Sequence, residues 1–232
     1  MIADIRTIAW KEFREILALR AGAKGRQSFL RTALIPIAIG IFFGLQTVVG
    51  DYGFAVFPVG LFAMSSASGL VTDAIAGERE RHTLETLLAS PASDAAIIGG
   101  KLTAIVGYSW ALALVQLAAI EATAIAVGHP LGVDVLVIIG VLSLFEAVLA
   151  AGFGVQFSLR APTVRAATRK LGLLSFLVVI PVSLLNVLAV RDRDASLFPL
   201  VLALAVLALL AADAALLALA KARFRRGRLL LD

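Results

Sequence analysis

The 232-residue chain contains no cysteine and only two histidines, His82 and His129. It therefore forms no disulfide, thiolate metal site or cysteine nucleophile, and it has too little imidazole for a histidine-rich metal centre. Charge is scarce as well: Asp, Glu, Lys and Arg make up 16% of the residues, where soluble domains carry about a quarter. Hydrophobic residues account for 60%, and the mean hydropathy is +0.97. A chain this small leaves much of its surface exposed, so a water-soluble fold has no core large enough to hide that content. A soluble globular enzyme and a disordered chain are excluded together. Catalytic signatures are missing too. There is no Gly-x-Ser-x-Gly and no His-Glu-x-x-His. A phosphate-binding loop needs Gly, four residues, then Gly-Lys-Ser/Thr. Here Gly100-Lys101 is followed by Leu102, and Ala95 stands where the first glycine belongs. The chain reads as a non-enzyme without an ATPase site, a metal or a cofactor of its own.

What is abundant is long apolar runs. Six blocks stand out: Thr32–Val49, Tyr52–Ala76, Leu102–Val127, Val133–Leu159, Leu171–Val190 and Leu197–Ala220. At about 1.5 Å rise per residue, the shortest just crosses a hydrocarbon layer. The blocks are rich in Ala and Leu and do not alternate polar with apolar, which argues against barrel strands. The expected fold is an all-α integral membrane protein. Six transmembrane helices (residues 32–220) follow a cytoplasmic amphipathic leader (1–31), and a basic tail (221–232) ends the chain. No cleavable signal pattern precedes the first block.

The net charge of +5 fits this plan better than it fits nucleic acid, because no soluble module is present to carry a nucleic-acid interface. With six crossings, 19 of the 21 Lys and Arg residues fall on one side. The other side has only Arg191 and Arg193, each next to an aspartate. The positive-inside rule then puts both termini in the cytoplasm of a multi-pass protein of the plasma or inner membrane.

In the leader, Ile2, Ile5, Ala9, Phe13 and Ile16 share one helical face, which Trp10 and Leu17 widen. Asp4, Lys11, Glu12, Arg14 and Glu15 fill the remainder. Such a helix lies along the membrane interface. It is either an elbow that bears on a partner or braces span one, or an anchor that sets orientation only.

The loop of residues 77–101 carries the densest pattern. The charges Glu78, Arg79, Glu80 and Arg81 follow Gly77. Thr83-Leu84-Glu85-Thr86-Leu87-Leu88 then places leucines at i, i+3 and i+4, and Pro91 ends the turn. Ser93-Asp94 offers a cap for the helix leading into span three. A helix this short is marginal alone in water. Its leucines need the headgroup layer, another cytoplasmic segment or another protein to cover them.

The run AGERERHTLETLLASPAS followed by GGKL resembles the loop of type-2 ATP-binding-cassette (ABC) exporter permeases. Gly77, Glu78, Glu80, Thr83, Leu84, Glu85, Leu87, Leu88, Ser90, Pro91, Gly100 and Lys101 occupy the family's positions, and Ala9–Glu15 resembles its opening. The resemblance implies a permease subunit that pairs with a second copy or a homologous permease. A separate ATPase subunit, holding ATP and Mg, would dock on Glu78, Arg79, Glu80, Arg81, Thr83, Leu84, Glu85, Leu87 and Leu88 to drive export. Some relatives carry a large outer domain between spans one and two, where this chain has two residues. Others have re-entrant helices before span six; here Pro181 and Asn186 are placed to break span five early. The substrate is not legible.

Three polar residues interrupt the blocks. Glu146 lies near the middle of span four, either as a contact for substrate, cation or proton, or as a structural carboxyl bonded to Gln116. It also supports an alternative, an ATPase-independent secondary transporter with Glu146 as the ion-coupling carboxyl. Asp213 is expected to meet Lys221 or a loop arginine. Glu121 and Asp134 are expected to reach headgroups or water, and His82 and His129 to be solvated. Gly40 and Gly44 form a small-xxx-small pair for close helix contact, inside the subunit or at a dimer seam. Pro36, Pro58 and Pro181 are expected to kink their spans.

Overall fold

The computed structural model describes residues 2–21, 26–49, 52–80, 93–159, 161, 163–169, 180, 184, 187 and 198–223. Among them there is no strand. The helices are α1 (Ile2–Ala21), α2 (Arg26–Gly44), α3 (Tyr52–Glu80), α4 (Asp94–Ala126), α5 (Val133–Ser158) and α6 (Phe198–Arg223). A 3-10 segment, Leu45–Val49, extends α2, and a short helix covers 164–169.

Three of these are long and apolar enough to cross a bilayer: Tyr52–Glu78 in α3, Asp94–Ala126 and Val133–Ser158. The shortest, at 26 residues, is about 39 Å long, more than the roughly 30 Å of hydrocarbon. Ala33–Val49 and Val206–Ala220 are shorter apolar helices. The chain is a helical membrane protein. Apolar side chains stay exposed around it, among them Leu34, Phe42, Val137, Val141, Leu204 and Leu207. In water that surface would be costly; in lipid it is the solvated face. The fifth apolar block lies almost wholly outside the described residues, as does Pro181.

The boundaries have local causes. The Ser93 side chain accepts a bond from the Ala96 backbone N–H (3.2 Å) and Asp94 occupies the first turn, so α4 starts where the sequence places its cap. α3 does not stop at Gly77; it carries on to Glu80 with Gly77 buried inside it. Pro36 and Pro58 are both buried inside helices, α2 and α3.

α4 is the hub, touching α1, α2, α3 and α5. α3 packs along α5, where small residues such as Ala63, Ala67, Ala147 and Ala151 are fully or almost fully buried. The Gly40/Gly44 pair is used inside the subunit. A Cβ on Gly40 would lie 2.6 Å from the Gln116 carbonyl oxygen, and one on Gly44 would lie 2.7 Å from the Thr123 Cβ, so these glycines seat α2 directly on the α4 backbone. With little hydrophobic gain between helices in lipid, such close packing supplies the cohesion. Polar side chains in the bundle bond to backbone carbonyls, within a helix or across to a neighbouring one. Trp110 Nε1 donates to the Gly140 carbonyl (2.8 Å), Ser143 donates to the same oxygen (2.9 Å), and Gln156 Nε2 reaches the Leu216 carbonyl on α6 (3.2 Å).

Gly40→Ala should destabilise the detergent-solubilised protein by about 1–3 kcal/mol through overpacking. Gly107→Ala, where a Cβ meets nothing within 4 Å, should be neutral or slightly stabilising. Thermal unfolding of the two variants side by side checks this; equal melting would place α2 elsewhere.

Candidate functional site at the Lys101 junction

The first turns of α4 meet the last turn of α3 and the middle of α1. Lys101 Nζ donates to Glu12 Oε1 on α1 at 2.9 Å and to Glu78 Oε1 on α3 at 2.7 Å. The ammonium and the Glu12 carboxylate are almost fully buried, and Glu78 is partly buried. One cation thus bridges two carboxylates from helices far apart in sequence. Removing either sign would strand charge at a site closed to water.

The sequence sets up this meeting in two ways. Glu12 follows Ile5 by seven residues and precedes Ile16 by four, so it sits on the helix face that α1 buries. Gly100 then lets α1 come close. A Cβ on Gly100 would lie 2.6 Å from the Ile8 Cβ, and the Gly99 position faces the Ile5 side chain. Beyond Lys101, Phe13 meets Tyr108 edge-on with ring centroids 6.2 Å apart.

A second attachment lies beside the first. Glu80 Oε2 accepts a bond from the Val164 backbone N–H (3.1 Å), and Thr163 Oγ1 accepts one from Ala166 N–H (3.2 Å), so both satisfy donors at the start of helix 164–169. Ala161 and Ala167 pack on Ala76, and Thr168 donates to Thr72 Oγ1 (3.4 Å). The stretch after α5 is thereby fastened to the end of α3.

Several expectations change. The leader does not chiefly brace span one: its apolar face lies on α4, with lesser contact to α2. Glu12 is not part of a solvated polar face; it is buried and paired with Lys101. Their signal was legible, since Glu12 falls on the apolar face and Lys101 follows two glycines, but nothing in one sequence pairs residues 89 positions apart. Of the loop residues expected to form the contact, Glu78 and Glu80 have partners within the chain. Arg81, Thr83, Leu84, Glu85, Leu87 and Leu88 lie outside the described residues, as does His82, and α3 includes the Arg79 backbone.

No hydrogen bond links the three intramembrane candidates. Glu146 is fully buried and engaged within the protein, but not by a hydrogen bond to Gln116, whose amide oxygen and nitrogen both lack a partner although fully buried. Asp213 is buried on α6, and neither carboxylate oxygen accepts a hydrogen bond from a described residue; the Lys221 side chain expected to meet it lies outside the described residues. Glu121 does not reach for headgroups; it accepts the Leu131 backbone N–H (3.0 Å) and closes the α4–α5 turn. His129 is exposed. No group of three His, Asp or Glu among the described residues converges to hold a metal.

Comparison with known protein-family models and with curated proteins yields no match to this chain.

Lys101→Met should destabilise by about 3–5 kcal/mol, because two buried carboxylates lose their cation. Adding Glu12→Gln and Glu78→Gln should recover most of the loss, and a double-mutant analysis of chemical unfolding reads the coupling. Additive losses would mean the three groups act independently.

Proposed function

We propose that this chain is the membrane-spanning permease subunit of an ABC exporter. In this reading it has six crossings in the plasma or inner membrane, with both termini in the cytosol. A separate ATPase subunit, which holds ATP and Mg, docks on the loop between α3 and α4. A second permease copy, or a homologous permease, completes the pathway.

The observation that carries the reading is the Lys101 junction. A push from a partner does work on a transporter only if the segment it meets is stiffly joined to the spans. The connection from Glu80 to Asp94 is short, and the two helices it joins are clamped together at its base through Glu78 and Lys101. Glu12 ties α1 to the same point, and Glu80 adds the stretch after α5. Displacement of the loop would therefore move α1, α3 and α4 as one body. The charge distribution and the resemblance of residues 77–101 to permease coupling loops support the same conclusion.

Within this reading Glu78 and Glu80 hold the base of the loop. Arg79, Arg81, Thr83, Leu84, Glu85, Leu87 and Leu88 form the contact, with the leucines as a small apolar centre inside a charged rim. The ATPase supplies the free energy by binding and hydrolysing nucleotide. The chain converts the resulting movement into alternate opening of its spans, as expected when a ligand-driven state change biases a bistable element.

The absence of native cysteine makes single-cysteine tests clean. Cysteine at Ser90 or Arg226 should be modified by an impermeant reagent only from the cytosolic side; modification from outside would overturn the topology. A photo-crosslinking residue at Ser90 should capture an ATP-binding subunit in cells, and Leu84→Asp/Leu88→Asp should abolish capture while the protein still inserts. Capture of lipid alone, or capture unchanged by the double substitution, would refute the docking role.

A further inference from the structure

α1 spends its apolar face on protein rather than on lipid. Ile5, Ile8, Phe13 and Ile16 pack towards α4, yet Trp10 is left 63% exposed. An exposed tryptophan beside a membrane bundle is unusual unless a third phase covers it.

The orientation of α1 identifies that phase. Glu12 meets α4 at Lys101, while its neighbour Phe13 meets α4 at Tyr108. Seven residues on α4 separate those points, about 10 Å along its axis. The edge of α1 that bears Phe13 therefore points along α4 into the membrane. Trp10 belongs to that edge and stacks on Phe13, with ring centroids 6.3 Å apart and planes 16° from parallel. Arg6 and Arg14 lie one turn to either side of Trp10; both are exposed, and neither forms an ion pair with a described residue. Asp4 and Glu15 sit about 120° or more around the helix from Arg6 and Trp10 and about 80–100° from Arg14, and Glu15 is paired with Lys11 at 3.3 Å.

We propose that the stripe Arg6–Trp10–Arg14 binds the phosphate groups of anionic phospholipid in the leaflet at the junction end of the bundle. The indole seats at the headgroup boundary, and the two guanidinium groups, about 12 Å apart along the axis, take phosphate oxygens on either side. Guanidinium suits this task because its planar donor set matches phosphate geometry. The stripe is joined through Glu12 to Lys101, so the lipid composition of that leaflet acts on the same block that moves α3 and α4. The proposal rests on the membrane placement of α3, α4 and α5 and not on the partner ATPase, so the chain alone suffices to test it.

The full chain is reconstituted into vesicles of phosphatidylcholine containing equal mole fractions of either brominated phosphatidylglycerol or brominated phosphatidylcholine, at fixed ionic strength. The Trp10 signal is obtained by subtracting the emission of a Trp10→Phe variant, which retains Trp110. Quenching titrations should give a preference for the anionic lipid on the order of fivefold, the effect of about one well-placed basic residue or more at an anionic surface. Arg6→Gln/Arg14→Gln should reduce the preference to near one, and Arg6→Lys/Arg14→Lys should retain most of it. Equal quenching by the two lipids in the intact chain would overturn the proposal, as would a preference that survives the Gln pair. Loss of the preference on adding inorganic phosphate would also overturn it, by assigning the stripe to free phosphate instead.

Discussion

Everything at one end of this molecule depends on a single ammonium group held between two carboxylates. Burying ions is expensive, and a buried ion pair adds little net stability compared with well-packed apolar residues. Lys101, Glu12 and Glu78 are therefore poorly explained as a device for stability alone. What they provide is position. The ammonium makes short bonds to both carboxylates, and it fixes where three helices meet to within the tolerance of a hydrogen bond. Apolar contacts between Ala- and Leu-rich helices would permit sliding by a fraction of a turn; this arrangement does not.

The remainder of the bundle follows the same economy. Most polar groups in the interior are satisfied by the nearest carbonyl, as Trp110 and Ser143 are by the one at Gly140, which is what a solvent without hydrogen-bonding capacity requires. Among the described residues the exceptions are Gln116 on α4, Ser158 at the end of α5 and Asp213 on α6, each buried with an unpaired polar atom.

The apolar blocks and their limits were legible in the sequence because they rest on local chemistry. Ser93 and Asp94 begin α4 for reasons contained in four residues, and the long runs of α3, α4 and α5 follow from hydropathy alone. The glycine pair at 40 and 44 announced a close contact, but only the fold chose α4 as its partner. Long-range polar pairing was not legible. Gln116 and Glu146 suggested each other because both are polar and intramembrane, yet they are not hydrogen-bonded. Glu121 looked like a headgroup residue and instead holds a turn ten residues away. Glu12 illustrates the difficulty best. Its place on the apolar face of α1 was present in the spacing, but an acidic residue there reads as an interruption until the lysine that neutralises it is known.

The central claim is that Lys101 makes the junction ends of α1, α3 and α4 a single rigid body. Spin labels at Thr7 on α1 and Ser93 at the start of α4, both exposed positions, report this directly as an interspin distance distribution in reconstituted protein. A single narrow distribution in the intact chain that becomes broad or shifted in Lys101→Met is the predicted result. Distributions of equal width and centre in the two proteins would contradict the claim, because α1 would then be held in place without the ion pair.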